Sequence, residues 1–89
     1  MNNPLKILII DDEEIERRAL AMMLKYNRKD VLELQEAENG LSAIEIFREF
    51  QADIVLADIN MPGINGLEAI RIMQKIKPET RFVIISAYN

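Results

Sequence analysis

The sequence predicts an α/β protein built on a parallel β-sheet, and three observations carry that expectation. Three short runs, residues 5–10, 54–57 and 81–86, are almost wholly apolar, which is the pattern of strands covered on both faces. Between them lie stretches whose apolar residues recur at helical spacing, and a fourth strand-like segment at 31–37. Strands alternating with helices imply a parallel sheet with right-handed crossovers. The first and third strands each end abruptly in aspartate, Asp11 and Asp58, at the edge where open α/β sheets place their ligands. Eighty-nine residues suffice for one domain, 1–89, at the short end for a doubly wound sheet.

The first strand is Leu5-Lys6-Ile7-Leu8-Ile9-Ile10, rich in β-branched residues. It runs into Asp11, Asp12, Glu13 and Glu14. The last two suit the positive end of a helix, which continues to about Tyr26 with Ile15, Ala19, Met22 or Met23 and Tyr26 as its apolar stripe and Glu16, Arg17, Arg18 and Lys25 opposite. Residues 31–37 mix apolar and acidic side chains, as an edge strand with one wet face does. Asn39-Gly40 turns the chain into a second helix with a stripe of Ala43, Ile44, Phe47 and Phe50. After the third strand, Pro62-Gly63 marks a turn. Asn65 and Glu68 have the spacing of a helix cap, and Leu67, Ile70, Met73 and Ile76 form the stripe of a third helix that Pro78 stops. Residues 81–86 read as a further buried strand.

Composition removes several function classes. Eleven basic against fifteen acidic residues give a net charge of −4, so no nucleic-acid contact is expected of this segment. The chain has neither cysteine nor histidine, which excludes thiolate and imidazole metal sites, Cys nucleophiles and a phosphohistidine of its own. No apolar run is long enough to span a bilayer, and the start carries no targeting signal; a cytoplasmic location fits the absence of cysteine. The three glycines, Gly40, Gly63 and Gly66, form no phosphate-cradling G-x-G-x-x-G.

With the first, third and fourth strands side by side, Asp11, Asp12, Asp58 and Ser86 fall at one sheet edge. Two unit charges about 4 Å apart at an effective dielectric near 20 repel by roughly 4 kcal/mol, so clustered carboxylates need a proton or a cation. An oxygen-only donor set selects a hard ion, Mg²⁺ first, with Mn²⁺ or Ca²⁺ as alternatives. A carboxylate beside such an ion can attack phosphorus and form an aspartyl-phosphate, and the Ser86 hydroxyl can donate to a phosphoryl oxygen.

Through Ile7-Leu8-Ile9-Ile10-Asp11-Asp12-Glu13, the loop from Asp58 to Gly66, and Val83-Ile84-Ile85-Ser86-Ala87, the chain resembles the receiver domain of two-component response regulators. The resemblance implies a flavodoxin-like fold with strand order 2-1-3-4, cut short of the family's fifth strand and last two helices. It implies Asp58 as phosphoacceptor, Asp11 and Asp12 as the metal-binding acid pair, Asn60 as a ligand through its backbone carbonyl, and Ser86 as the hydroxyl switch. It also implies a sensor histidine kinase as phosphodonor and an output domain, in keeping with a last segment, residues 85–89, similar to receivers joined to AraC-type DNA-binding domains. The family's phosphate-binding lysine has no counterpart, because Lys75 and Lys77 belong to the far end of the third helix. Such a piece, with the 82–85 strand uncovered, is expected to form a homodimer or a strand-exchanged oligomer. Two rivals differ in chemistry. A pseudo-receiver acting only as an interaction module is disfavoured by Asp11, Asp12, Asp58 and Ser86 together. A haloacid-dehalogenase-like phosphohydrolase requires a second acid two residues after its nucleophile, where Asn60 stands, and an amide cannot shuttle a proton. A signalling module is expected, not a turnover enzyme.

Overall fold

A computed structural model describes residues 4–28, 32–58 and 66–85. In chain order these form β1 (Leu5–Ile10), α1 (Glu14–Arg28), β2 (Leu32–Ala37), α2 (Gly40–Phe50), β3 (Ile54–Asp58), α3 (Gly66–Ile76) and β4 (Arg81–Ile85). All pairings are parallel, in the order β2-β1-β3-β4. This is the expected flavodoxin-like order.

Side chains alternate across β1, so each of its faces feeds a separate apolar layer. Leu8 and Ile10 join Val55, Ala57 and the inward stripes of α2 (Ala43, Ile44, Phe47) and α3 (Ala69, Ile70, Met73) in the larger layer. Phe47 is fully buried and stacks at 6.3 Å on Phe82; burying one such ring stabilises the fold by about 1.5–3 kcal/mol. Ile7 and Ile9 face the other way, onto Ala21 with Leu20 and Leu24 of α1. The second helix starts as its sequence suggested: the Asn39 side chain accepts a 2.8 Å hydrogen bond from the Ser42 N–H.

Two expectations are corrected. On α1, the stripe read as core is turned to solvent, with Ile15 83% and Tyr26 87% exposed and Met22 and Met23 also outside. The inward stripe is instead Arg17, Leu20, Ala21 and Leu24. The cause is polar: the Arg17 guanidinium donates to the Asp11 carbonyl at 2.8 Å and to Glu36 on β2 at 3.0 Å, which fixes the rotation of the helix. On α3, Leu67 is exposed while Gly66 and Ala69, small enough for close approach, face the sheet. The apolar run at 81–85 forms β4, an edge strand among the described residues with Val83 47% and Ile84 45% exposed, as expected of an uncovered 82–85 segment.

Candidate functional site at the carboxyl edge of the sheet

Strand order determines where a site can form. β1 leads into α1 on one face of the sheet, while its neighbour β3 leads towards α3 on the other. The two connections diverge at this switch point and open a crevice beyond the strand ends. Ile10 pairs with Ala57, so the next residues, Asp11 just past β1 and Asp58 as the last of β3, stand side by side at the edge of the sheet.

Asp11 is held on every side. Its N–H donates to the Ala37 carbonyl at 3.1 Å, extending the ladder to β2. Its carbonyl accepts from Arg17, and its carboxylate accepts the Glu13 N–H at 2.9 Å, the turn that an aspartate makes with the backbone two residues on. Only 9% of the residue is exposed. Asp58 is half-buried.

A third carboxylate completes the cluster. Oxygens of Asp11, Asp58 and Glu16 lie within 4.8 Å of one another, a grouping that could hold a metal ion. The Asp11 charge holds the Glu16 carboxyl above its ordinary 4.5, helped by a side-chain hydrogen bond with Asp11, some desolvation, and the charges of Glu13 and Asp58. The donor set, oxygen only and anionic, fits a hard divalent cation.

Of the residues expected at this edge, Asp11 and Asp58 are brought together. Asp12 is exposed and is not part of the 4.8 Å grouping. Asn60 and Ser86 lie outside the described residues, as does the turn through Pro62 and Gly63 to Asn65. Glu16 lies on the exposed side, where the helical pattern put it, and was missed because periodicity says nothing of what that side overhangs. The available signal was that the first turn of α1 must rise directly over the end of β1.

The opposite, amino edge of the sheet carries a different aspartate. Asp53 accepts the Lys6 N–H at 3.0 Å and the Lys77 ammonium at 3.2 Å. The Lys6 hydrogen bond, then Lys77, hold its carboxyl below its ordinary 3.8 against a desolvation that raises it. A cleft of about 500 Å³ lies there, lined in part by Lys6, Asp53 and Lys77. Lys77 is already engaged with Asp53 and the Gln51 carbonyl. The lysine's position at this edge, far from Asp58, is as the sequence indicated.

A doubly wound sheet with paired carboxylates at its switch point is the architecture expected of a receiver-type α/β domain. The match to the response regulator receiver domain extends over residues 7–89, and the chain belongs to that family. It is 37% identical over 84 residues to the transcriptional regulatory protein YdfI of Bacillus subtilis, covering 94% of this chain and 38% of that protein. It is 37% identical over 82 residues to the chemotaxis protein CheY of Thermotoga maritima, covering 92% of this chain and 67% of CheY. The crystal structure of a two-component transcriptional regulator AraC from Clostridium phytofermentans superposes with a TM-score of 0.85 at 28% identity, covering 96% of this chain and 68% of that one. The chain thus spans well under half the length of YdfI. Among the described residues no helix is long and apolar enough to cross a membrane.

Proposed function

We propose that the domain accepts a phosphoryl group on Asp58 from a separate histidine kinase and so switches an output domain, in a reaction that depends on Mg²⁺. The carrying observation is the side-by-side placing of Asp11 and Asp58 at the switch point. A carboxylate oxygen of Asp58 forms the new bond to phosphorus while the bond to the donor's imidazole nitrogen breaks, and the imidazole leaves with a proton. The chain has no histidine, so the donor is external. Asp11, Asp12, Asp58 and the Asn60 carbonyl are the residues assigned to hold the cation, which when bound neutralises charge on the transferring group. Ser86 is assigned the hydroxyl that meets the transferred phosphoryl group.

Kinship to transcriptional regulators supports a DNA-binding output, with the receiver itself, at net charge −4, touching no nucleic acid. A cytoplasmic setting accords with that role. The exposed Val83 and Ile84 on edge strand β4 support self-association through this strand, to be checked by sedimentation. The test of the central reading is intact mass after incubation with a small phosphodonor. One phosphoryl group is expected with Mg²⁺ and none without it, and Asp58→Asn should remain unlabelled. Equal labelling of the variant would remove Asp58 as the nucleophile.

A further inference from the structure

Acids in the first turn of a helix ordinarily need no special role, because the positive end of the helix dipole favours them. Glu14 fits that description. It sits at the start of α1, exposed, paired loosely with Arg18 at 4.0 Å. Glu16 is placed differently. Its carboxylate turns back over the end of β1 and comes within 4.8 Å of oxygens on both Asp11 and Asp58, which belong to two different strands.

An exposed glutamate has ample rotamer freedom to extend into water, away from like charge. Instead its carboxylate stays within 4.8 Å of oxygens on Asp11 and Asp58. The nearest cations in sequence do not explain its position: Arg17 directs its guanidinium to Glu36 and the Asp11 carbonyl, and Arg18 to Glu36 and Glu14. The Arg17 contacts also fix the rotation of α1, so the helix face that overhangs the crevice is set independently of Glu16. The crevice therefore receives carboxylates from both of its walls: Asp11 and Glu16 from the β1–α1 side, and Asp58 from β3.

We infer that Glu16 is a further side-chain ligand of the divalent cation at this site, beside Asp11 and Asp58. The inference rests on reading the site as a receiver's cation site and adds a residue to it. Mg²⁺ commonly takes one or two carboxylates and keeps several waters, and affinity for hard cations rises with the number of charged ligands. Glu16 supplies a third carboxylate on a rigid first turn, so the cation links α1 directly to β3.

The measurement is calorimetric titration of Mg²⁺ into the protein and into the variants Glu16→Gln, Glu14→Gln and Asp58→Asn, each first shown by circular dichroism to keep its helix content. Glu14→Gln removes the same charge from the same turn without touching the cluster. Glu16→Gln should weaken Mg²⁺ binding about tenfold or more, as loss of a residue that holds or orients a metal does, with Glu14→Gln close to the parent. An affinity for Glu16→Gln equal to or tighter than the parent's, or a loss matched by Glu14→Gln, overturns the inference. If in that case Asp58→Asn still weakens binding, the cation site stands without Glu16. If neither Glu16→Gln nor Asp58→Asn changes the affinity, the reading of the site itself falls with it.

Discussion

The two ends of the sheet hold aspartates in opposite circumstances. At the amino edge Asp53 accepts the Lys6 N–H and the Lys77 ammonium, and its carboxyl titrates below the ordinary range. At the carboxyl edge Asp11, Asp58 and Glu16 crowd within 4.8 Å and the Glu16 carboxyl titrates above its ordinary range. One arrangement sets a carboxylate against a cation of the chain; the other sets three carboxylates against one another. Stability and ligand binding thus sit at opposite ends of the same strands, and the same residue type serves both.

The largest effect that separates the two ends is chemical. Asp58→Asn should abolish phosphoryl incorporation, whereas Asp53→Asn, at the far edge, should leave the intact-mass label in place. Loss of label in both variants would erase the distinction drawn between the edges.

Next in size is Arg17, which ties the carboxyl edge to the fold. Its side chain is 13% exposed and bridges the Asp11 carbonyl and Glu36. Arg17→Ala leaves both acceptors without this donor and should cost about 2 kcal/mol, lowering Tm by roughly 10 °C in a domain of this size. Glu36 also pairs with Arg18 at 3.6 Å, but that pair is more exposed and replaces little of what is lost. A Tm within a degree of the parent would mean that Leu20, Ala21 and Leu24 alone set the rotation of α1.

Arg17 also marks where the sequence stopped being legible. Strand existence and the placing of Asp11 and Asp58 at strand ends follow from apolar runs and their abrupt ends, while the strand order came from the resemblance to receiver domains. The rotation of α1 does not, because the helix carries two apolar stripes: Ile15, Ala19, Met22 and Tyr26 on one side, Leu20, Ala21 and Leu24 on the other. Periodicity favours the longer stripe. The structure favours the shorter one because an arginine heads it and finds two acceptors there. Glu16 is exposed in either reading, so its approach to Asp11 and Asp58 was hidden by the geometry of the turn between β1 and α1 rather than by the rotation. On α3 the same limit appears in miniature, where Ala69 faces the sheet and the larger Leu67 does not.

A smaller loss is expected at the amino edge. Asp53 has a side chain 43% exposed, so solvent screens its ion pair with Lys77. Asp53→Ala should cost about 1 kcal/mol, mostly through the hydrogen bond to the Lys6 N–H. Urea denaturation resolves such a change as a shifted midpoint at constant slope. A cost equal to that of Arg17→Ala would mean that screening is weaker here than the exposure implies.

The smallest effect is the dependence of stability on pH without divalent cations, where the two ends should pull in opposite directions. Asp53 has a lowered folded pKa. Its contribution is present above the ordinary 3.8 and is lost as pH falls from there through the depressed value. Glu16 has a raised folded pKa, caused by Asp11 first and then by Glu13 and Asp58. No penalty is felt below the ordinary 4.5, and stability is lost as pH climbs from there through the raised value. The two windows do not overlap. Melting from acid to neutral pH should therefore show Asp53→Asn less stable than the parent above 3.8 and converging on it at the acid end, and Glu16→Gln diverging only above 4.5, where the variant is relatively more stable. Saturating Mg²⁺ should erase the second difference in favour of the parent, because a bound cation turns the repelling charges into ligands. A Glu16→Gln profile parallel to the parent's across the whole range would show that Glu16 does not feel Asp11 and Asp58, and the contrast between the two edges would reduce to Asp53 alone.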